Sequence, residues 1–221
     1  VGITSSTALW YASRATGVVA LVLLTVVVVL GILVNRQGRL PGLPRFATTS
    51  LHRSMSLLAV AFTAIHVITA IADPYVTIGI VASVVPFTSA YKPVWIGLGA
   101  VALDIMVALI ITSLARARIG RRTWRAVHWL AYACWPVALI HGIGSSNDLL
   151  GGALLALTVL CTAAVVGATG WRIASAATEP GRAERAARAL AEGSALQPGH
   201  RRTGDSSHVT GGRPLTGSGV R

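Results

Sequence analysis

The stretch "RAVHWLAYACWPVALIHG", residues 125–142, is apolar enough to lie in a lipid bilayer, yet it carries His128, His141 and, between them, Pro136. An ionisable side chain is costly in hydrocarbon and demands a partner or a function. A second stretch has the same character: "LHRSMSLLAVAFTAIHVITA", residues 51–70, carries His52 and His66. The chain has six histidines, and four of them fall in these two apolar segments. How the two pairs relate decides how the rest of the chain is read.

Composition places the pairs in a membrane. Of 221 residues, 53% are hydrophobic and only 12% charged, with a mean hydropathy of +0.67. A water-soluble domain of this length needs far more charge to cover its surface. The net charge of +12 does not point to nucleic acid. Eight of the nineteen basic residues lie in the last fifty positions, and most of the others flank apolar runs. The two cysteines, Cys134 and Cys161, sit inside apolar segments and form no CxxC metal motif. The opening "VGITSSTALWYASRATG" is polar and lacks a basic leader, so no cleaved signal peptide is expected.

A helix needs about 20 apolar residues to cross the hydrocarbon core. Five segments approach that length: 15–34, 51–72 with Arg53 near its start, 94–115 with Asp104 inside it, 125–143 and 149–171. The expected fold is therefore all-α, a bundle of five transmembrane helices, because lone strands would leave backbone groups unpaired in lipid. The apolar core of residues 74–92 is too short to cross and reads as an interfacial or re-entrant segment. Basic residues set the orientation. Arg36, Arg39 and Arg45 lie in the first loop and Arg116, Arg118, Arg121 and Arg122 in the third. The second and fourth loops hold only Lys92, with Asp73 and Asp148 at their edges. The N-terminus is thus expected outside and the C-terminus in the cytoplasm. Trp10, Trp95, Trp124 and Trp171 fall near span ends, as an aromatic belt requires. Residues 177–221, rich in Gly, Ser, Arg and Pro, read as a disordered basic tail. Within it "AERAARALAE", 183–192, is either a solvated linker or a short helix on anionic lipid. His200 and His208 lie in this tail and receive no role.

The spacings are 14 residues on the second span and 13 on the fourth. At 1.5 Å per residue, each pair extends over about 20 Å of helix. Both spans follow a basic loop and run the same way, so His52 and His128 share the inner depth and His66 and His141 the outer. Zinc would want a third or fourth ligand at matching depth, and a proton relay would want closer carriers. Haem fits, because its iron takes two axial imidazoles and its flat macrocycle slots between helices. One geometric difficulty remains. At about 100° per residue, a spacing of 14 returns to nearly the same helix face, whereas 13 misses by about 140°. Pro136 removes a backbone hydrogen bond and is expected to kink or rewind the helix so that both histidines face the second span.

The two histidine-bearing stretches resemble the ferric reductase-like transmembrane domain, shared by ferric reductases, NADPH oxidases and the membrane subunit of the bacterial methionine sulfoxide reductase system. The resemblance extends over about residues 10–173, and "WYASRATG" before the first span is similar to bacterial members. It implies two b-type haems, ligated by His52 with His128 and by His66 with His141, in a bacterial cytoplasmic membrane. It also implies a transmembrane haem domain over residues 1–176. Reductases and oxidases of this family carry a cytosolic flavin- and NADPH-binding region after the last span. Here about fifty low-complexity residues follow without a dinucleotide-binding glycine fingerprint. The expected electron donor is accordingly a separate protein, a quinol or a flavin bound through a partner.

Arg53, beside His52, and Arg125, one turn before His128, either pair with inner haem propionates or anchor the span by their charge. Arg14, Tyr91 and Lys92 are candidates at the outer site. Asp104 is either a proton-handling group or a structural acid. Cys134 and Met106 read as packing residues, and Trp129 and Trp135 either line the haems or pack against lipid and helices. No catalytic residue is assigned. With both irons six-coordinate, an acceptor (ferric iron, oxygen or a redox protein) would be reduced at a haem edge. Two other classes compete: a proton-coupled transporter using the histidines and Asp104, and a haem-bearing assembly or sensory subunit docking through its tail.

Overall fold

A computed structural model of the chain describes residues 2–35, 45–74, 76 and 78–195. Arg36, Arg39, His200, His208 and residues 196–221 lie outside the described residues. The elements are α1 (Gly2–Asn35), α2 (Arg45–Ala72), α3 (Ile80–Val84), α4 (Pro93–Leu114), α5 (Arg116–Ile119), α6 (Arg121–His128), α7 (Ala131–Ser145) and α8 (Gly152–Ala195), with a 3-10 turn at Asn147–Leu150. No strand occurs among the described residues.

Among the described residues, five stretches are long and apolar enough to cross a membrane: Thr7–Val34, Phe46–Ala72, Pro93–Leu114, Arg121–Ser145 and Gly152–Ser175. The expected bundle is therefore present. The first helix begins earlier than the apolar run that predicts it, because nothing in "GITSSTALWYAS" breaks a helix. The last continues to Ala195 and includes 183–192, where alanine-rich sequence favours helix more than the composition of the whole tail suggests.

The fourth span is two helices. Across the junction of α6 and α7 the amides of Leu130, Tyr132 and Ala133 bond three residues back, to Val127, Trp129 and Leu130, at 2.9, 3.1 and 3.0 Å. Each bond of this 3-10 type advances the rotation about 20° more than an α-helical residue. Pro136, inside α7, has no amide to give the Tyr132 carbonyl. The sequence placed the distortion at the proline; the hydrogen bonding places it in the turn before, where the missing bond begins.

The closest helix pairings are α1 with α2 and α4 with α7, both antiparallel. Small residues permit close approach: a Cβ on Gly144 would strike the Trp95 ring, and one on Gly97 would strike Phe87. The core gathers Leu21, Val28 and the fully buried Ile32 of α1, Trp135 of α7 and Cys161 of α8. At its centre Trp135 Nε1 donates to Thr25 Oγ1 at 2.8 Å. Arg172 donates to the Tyr132 hydroxyl and lies 4.6 Å over the Trp129 ring, so α8 grips the junction of α6 and α7. At the opposite end Arg14 pairs with Asp148, and Lys92 donates to the Ser145 carbonyl at 3.0 Å. The segment before α4 is the expected short one: α3 is five residues long, with Ile80, Val81 and Val84 exposed, and its chain returns through Phe87 at φ 66°.

Candidate functional site

Antiparallel packing of α1 on α2 and of α4 on α7 brings the four histidines into two facing pairs. His52 and His128 lie at the end carrying Arg53, Arg116 and Arg125, here called the basic end. His66 and His141 lie at the opposite end. The ring centroids are 6.5 Å apart in the first pair and 6.3 Å in the second, with the ring planes at 72° and 73°. A metal held between two imidazole nitrogens at about 2.0 Å each would put the centroids about 6.3 Å apart. Among the described residues, no group of three or more His, Cys, Asp or Glu is placed to hold a metal ion. Each pair is therefore two facing imidazoles and no more.

At the opposite end both rings are fixed from behind. His66 Nδ1 lies 2.8 Å from the Ser13 carbonyl, and His141 Nδ1 lies 2.7 Å from the Trp95 carbonyl. A carbonyl accepts, so each Nδ1 carries the proton and each Nε2 keeps its lone pair. Both rings also press on glycines. A Cβ on Gly17 would stand 3.0 Å from His66 Cε1, and one on Gly99 would stand 2.6 Å from His141 Cε1. Between them opens a cavity of about 790 Å³, bordered by His66, His141, Met106 and Cys134, with Arg14, Tyr91 and Asp148 at its polar rim. Its size suits a cofactor.

The basic end is built otherwise. His52 rests near Gly31, where a Cβ would stand 3.3 Å from its Cε1. Its Nδ1 and that of His128 are both buried without a hydrogen bond. Instead the Trp124 indole stacks on His128 with centroids 4.9 Å apart and planes 22° apart.

Of the other residues singled out in the sequence, Arg53 and Arg125 are exposed at the basic end. Arg14 stacks on Trp10 at 4.0 Å as well as pairing with Asp148. Asp104 is exposed halfway along α4 and does not border the cavity. Trp129 lies under Arg172, and Trp135 belongs to the core. Sequence reasoning missed Gly17, Gly31 and Gly99, the Ser13 and Trp95 carbonyls, and Trp124 as a partner of His128. One signal was available: Gly17 and Gly31 are 14 residues apart, the same interval as His52 and His66 on the antiparallel neighbour.

Comparison with curated proteins and with solved structures returned no significant match. The sequence model of the family described as ferric reductase like transmembrane component matches residues 16–145, a range that takes in all four paired histidines and the glycines behind them. With five helices among the described residues long and apolar enough to span a membrane, the chain belongs to the ferric reductase-like transmembrane family and is an integral membrane component of electron transfer.

Proposed function

We propose that the chain is a dihaem b-type cytochrome that passes electrons across the membrane, from a cytoplasmic or quinol donor at the basic end to an acceptor on the other side. The observation that carries this reading is the repeated geometry of the two pairs, 6.5 and 6.3 Å between facing rings at two depths. Haem iron supplies a one-electron ferric/ferrous couple when held by two axial imidazoles. His52 and His128 would hold one haem, and His66 and His141 the other. The Ser13 and Trp95 carbonyls keep the Nε2 lone pairs of His66 and His141 directed away from the backbone, toward each other. The glycines let these rings lie against α1 and α4, leaving room between α2 and α7 for a macrocycle. The basic loops favour the cytoplasm, which makes the His52–His128 end the entry side, and the guanidinium groups of Arg53 and Arg125 suit propionate carboxylates there.

Two histidines would complete the protein's share of each ligand set, so a substrate would have no ligand position of its own. The acceptor is then reduced by outer-sphere transfer, and the protein's part is to hold, orient and insulate. The test is electron transfer across proteoliposomes containing the purified protein, with a membrane-impermeant reductant outside and ferricyanide inside. Transfer is expected in the wild type and lost in His66→Ala and in His52→Ala. Equal rates in all three would overturn the reading.

A further inference from the structure

Two of the four histidines, His66 and His141, have a main-chain carbonyl at hydrogen-bonding distance behind Nδ1, those of Ser13 and Trp95. His128 has none. Its ring is instead covered by Trp124, four residues earlier on α6, at 4.9 Å and 22°. The other partner of the indole is Arg116, whose guanidinium lies 4.5 Å from the ring centroid. Arg116 reaches it because the chain reverses at Gly120, whose φ of 75° suits glycine and turns α5 back along α6. Guanidinium, indole and imidazole thus form one stack that ends on the ring facing His52.

We infer that the Arg116–Trp124–His128 stack is a positioning device that fixes the plane of this ligand and raises the redox potential of the basic-end site above that of the other. The inference rests on the dihaem reading. Stacking does for His128 what a hydrogen bond does for His66 and His141: it stops rotation about the Cβ–Cγ bond. Two electrostatic effects then act in the same sense. An imidazole whose Nδ1–H is hydrogen-bonded to a carbonyl is a stronger donor and favours ferric iron; His128 lacks that bond. A fixed cation beyond the indole favours the state with less positive charge, the ferrous one. The opposite-end site has the carbonyls and no such cation stack on its histidines.

The test is a potentiometric titration of the purified dihaem protein, followed optically and by low-temperature EPR. His52→Ala and His66→Ala assign which component belongs to which pair. Two one-electron components are expected, the basic-end one at higher potential. Arg116→Gln, a change at an exposed side chain, should lower that component alone. The expected shift is about tenfold in its reduced-to-oxidised ratio at fixed ambient potential, 59 mV for one electron. Trp124→Leu should alter the EPR anisotropy of the same component, and Trp124→Phe, which keeps a stacking face, should restore it. A basic-end component at the lower potential, an Arg116→Gln shift shared equally by both components, or no shift at all would overturn the inference. Absence of haem from the wild type would instead overturn the reading beneath it.

Discussion

The two histidine pairs have nearly the same span and tilt, yet they are held by different means. At the opposite end, main-chain carbonyls hold both imidazoles and close-fitting glycines back them, beside a cavity of about 790 Å³. At the basic end the rings lack those bonds, the glycine contact is looser, and an indole provides the support. A ligand fixed by backbone has no alternative rotamer, whereas one fixed by a side chain is as adjustable as its neighbour. One pair is held by main chain, the other by a side chain.

The largest effect that would break this contrast comes from filling a glycine seat. Gly99→Leu should remove the opposite-end haem, lowering haem content from two per chain toward one, because the ring of His141 has no room to retreat from the Trp95 carbonyl. Haem quantification with EPR assignment checks this, and retention of both haems would contradict it. Alanine grades the contrast. Gly99→Ala and Gly17→Ala place a methyl 2.6 and 3.0 Å from a histidine carbon, and Gly31→Ala places one at 3.3 Å. Overpacking of about 1–3 kcal/mol predicts weakened haem retention in the first two. Gly31→Ala should show only a shifted spectrum.

Pro136→Ala should act next in size. It restores an amide donor for the Tyr132 carbonyl, allows the 3-10 turn at the α6–α7 junction to relax toward α-helix, and so rotates His128 relative to His141. The basic-end spectrum should change more than the other, since Arg172, Trp129 and Tyr132 bind that junction. Unchanged spectra of both haems would show that the proline does not aim the histidines. The smallest effect is expected from Trp135→Phe. It removes one buried hydrogen bond to Thr25 while the Thr25 hydroxyl keeps its bond to the Leu21 carbonyl at 2.9 Å, at a cost of about 1 kcal/mol. Thermal unfolding followed by haem release should move by a few degrees, with both spectra intact.

The bundle and the pairs were legible because their signals are strong in sequence: long uncharged apolar runs, and imidazoles where a bilayer penalises them. What holds the imidazoles was not. Every residue has a carbonyl, so nothing in "ASRATG" or "PVWIG" marks Ser13 or Trp95 as the one that accepts. Glycine is common in this chain, with 23 residues, and only the 14-residue echo between Gly17–Gly31 and His52–His66 separates two of them from the rest. Trp124 was read as part of an aromatic belt because its stacking partner, Arg116, reaches it only through the reversal at Gly120. Pro136 marks a helix disturbance in the sequence, but the amide it lacks is the one that would reach the Tyr132 carbonyl, and the three-residue hydrogen bonds lie at 127–133. In the alanine-rich 183–192 regional composition favours a linker and local propensity a helix, and α8 includes it.

The central claim is that each pair holds one haem, and haem stoichiometry tests it most directly. A reduced-minus-oxidised spectrum and haem quantification on purified protein should give two low-spin b-type haems per chain in the wild type. One should remain in His66→Ala or His141→Ala and one in His52→Ala or His128→Ala, with different EPR signals surviving in the two sets. Protein that folds and inserts but carries no haem, or loses both haems equally in all four variants, would contradict the account.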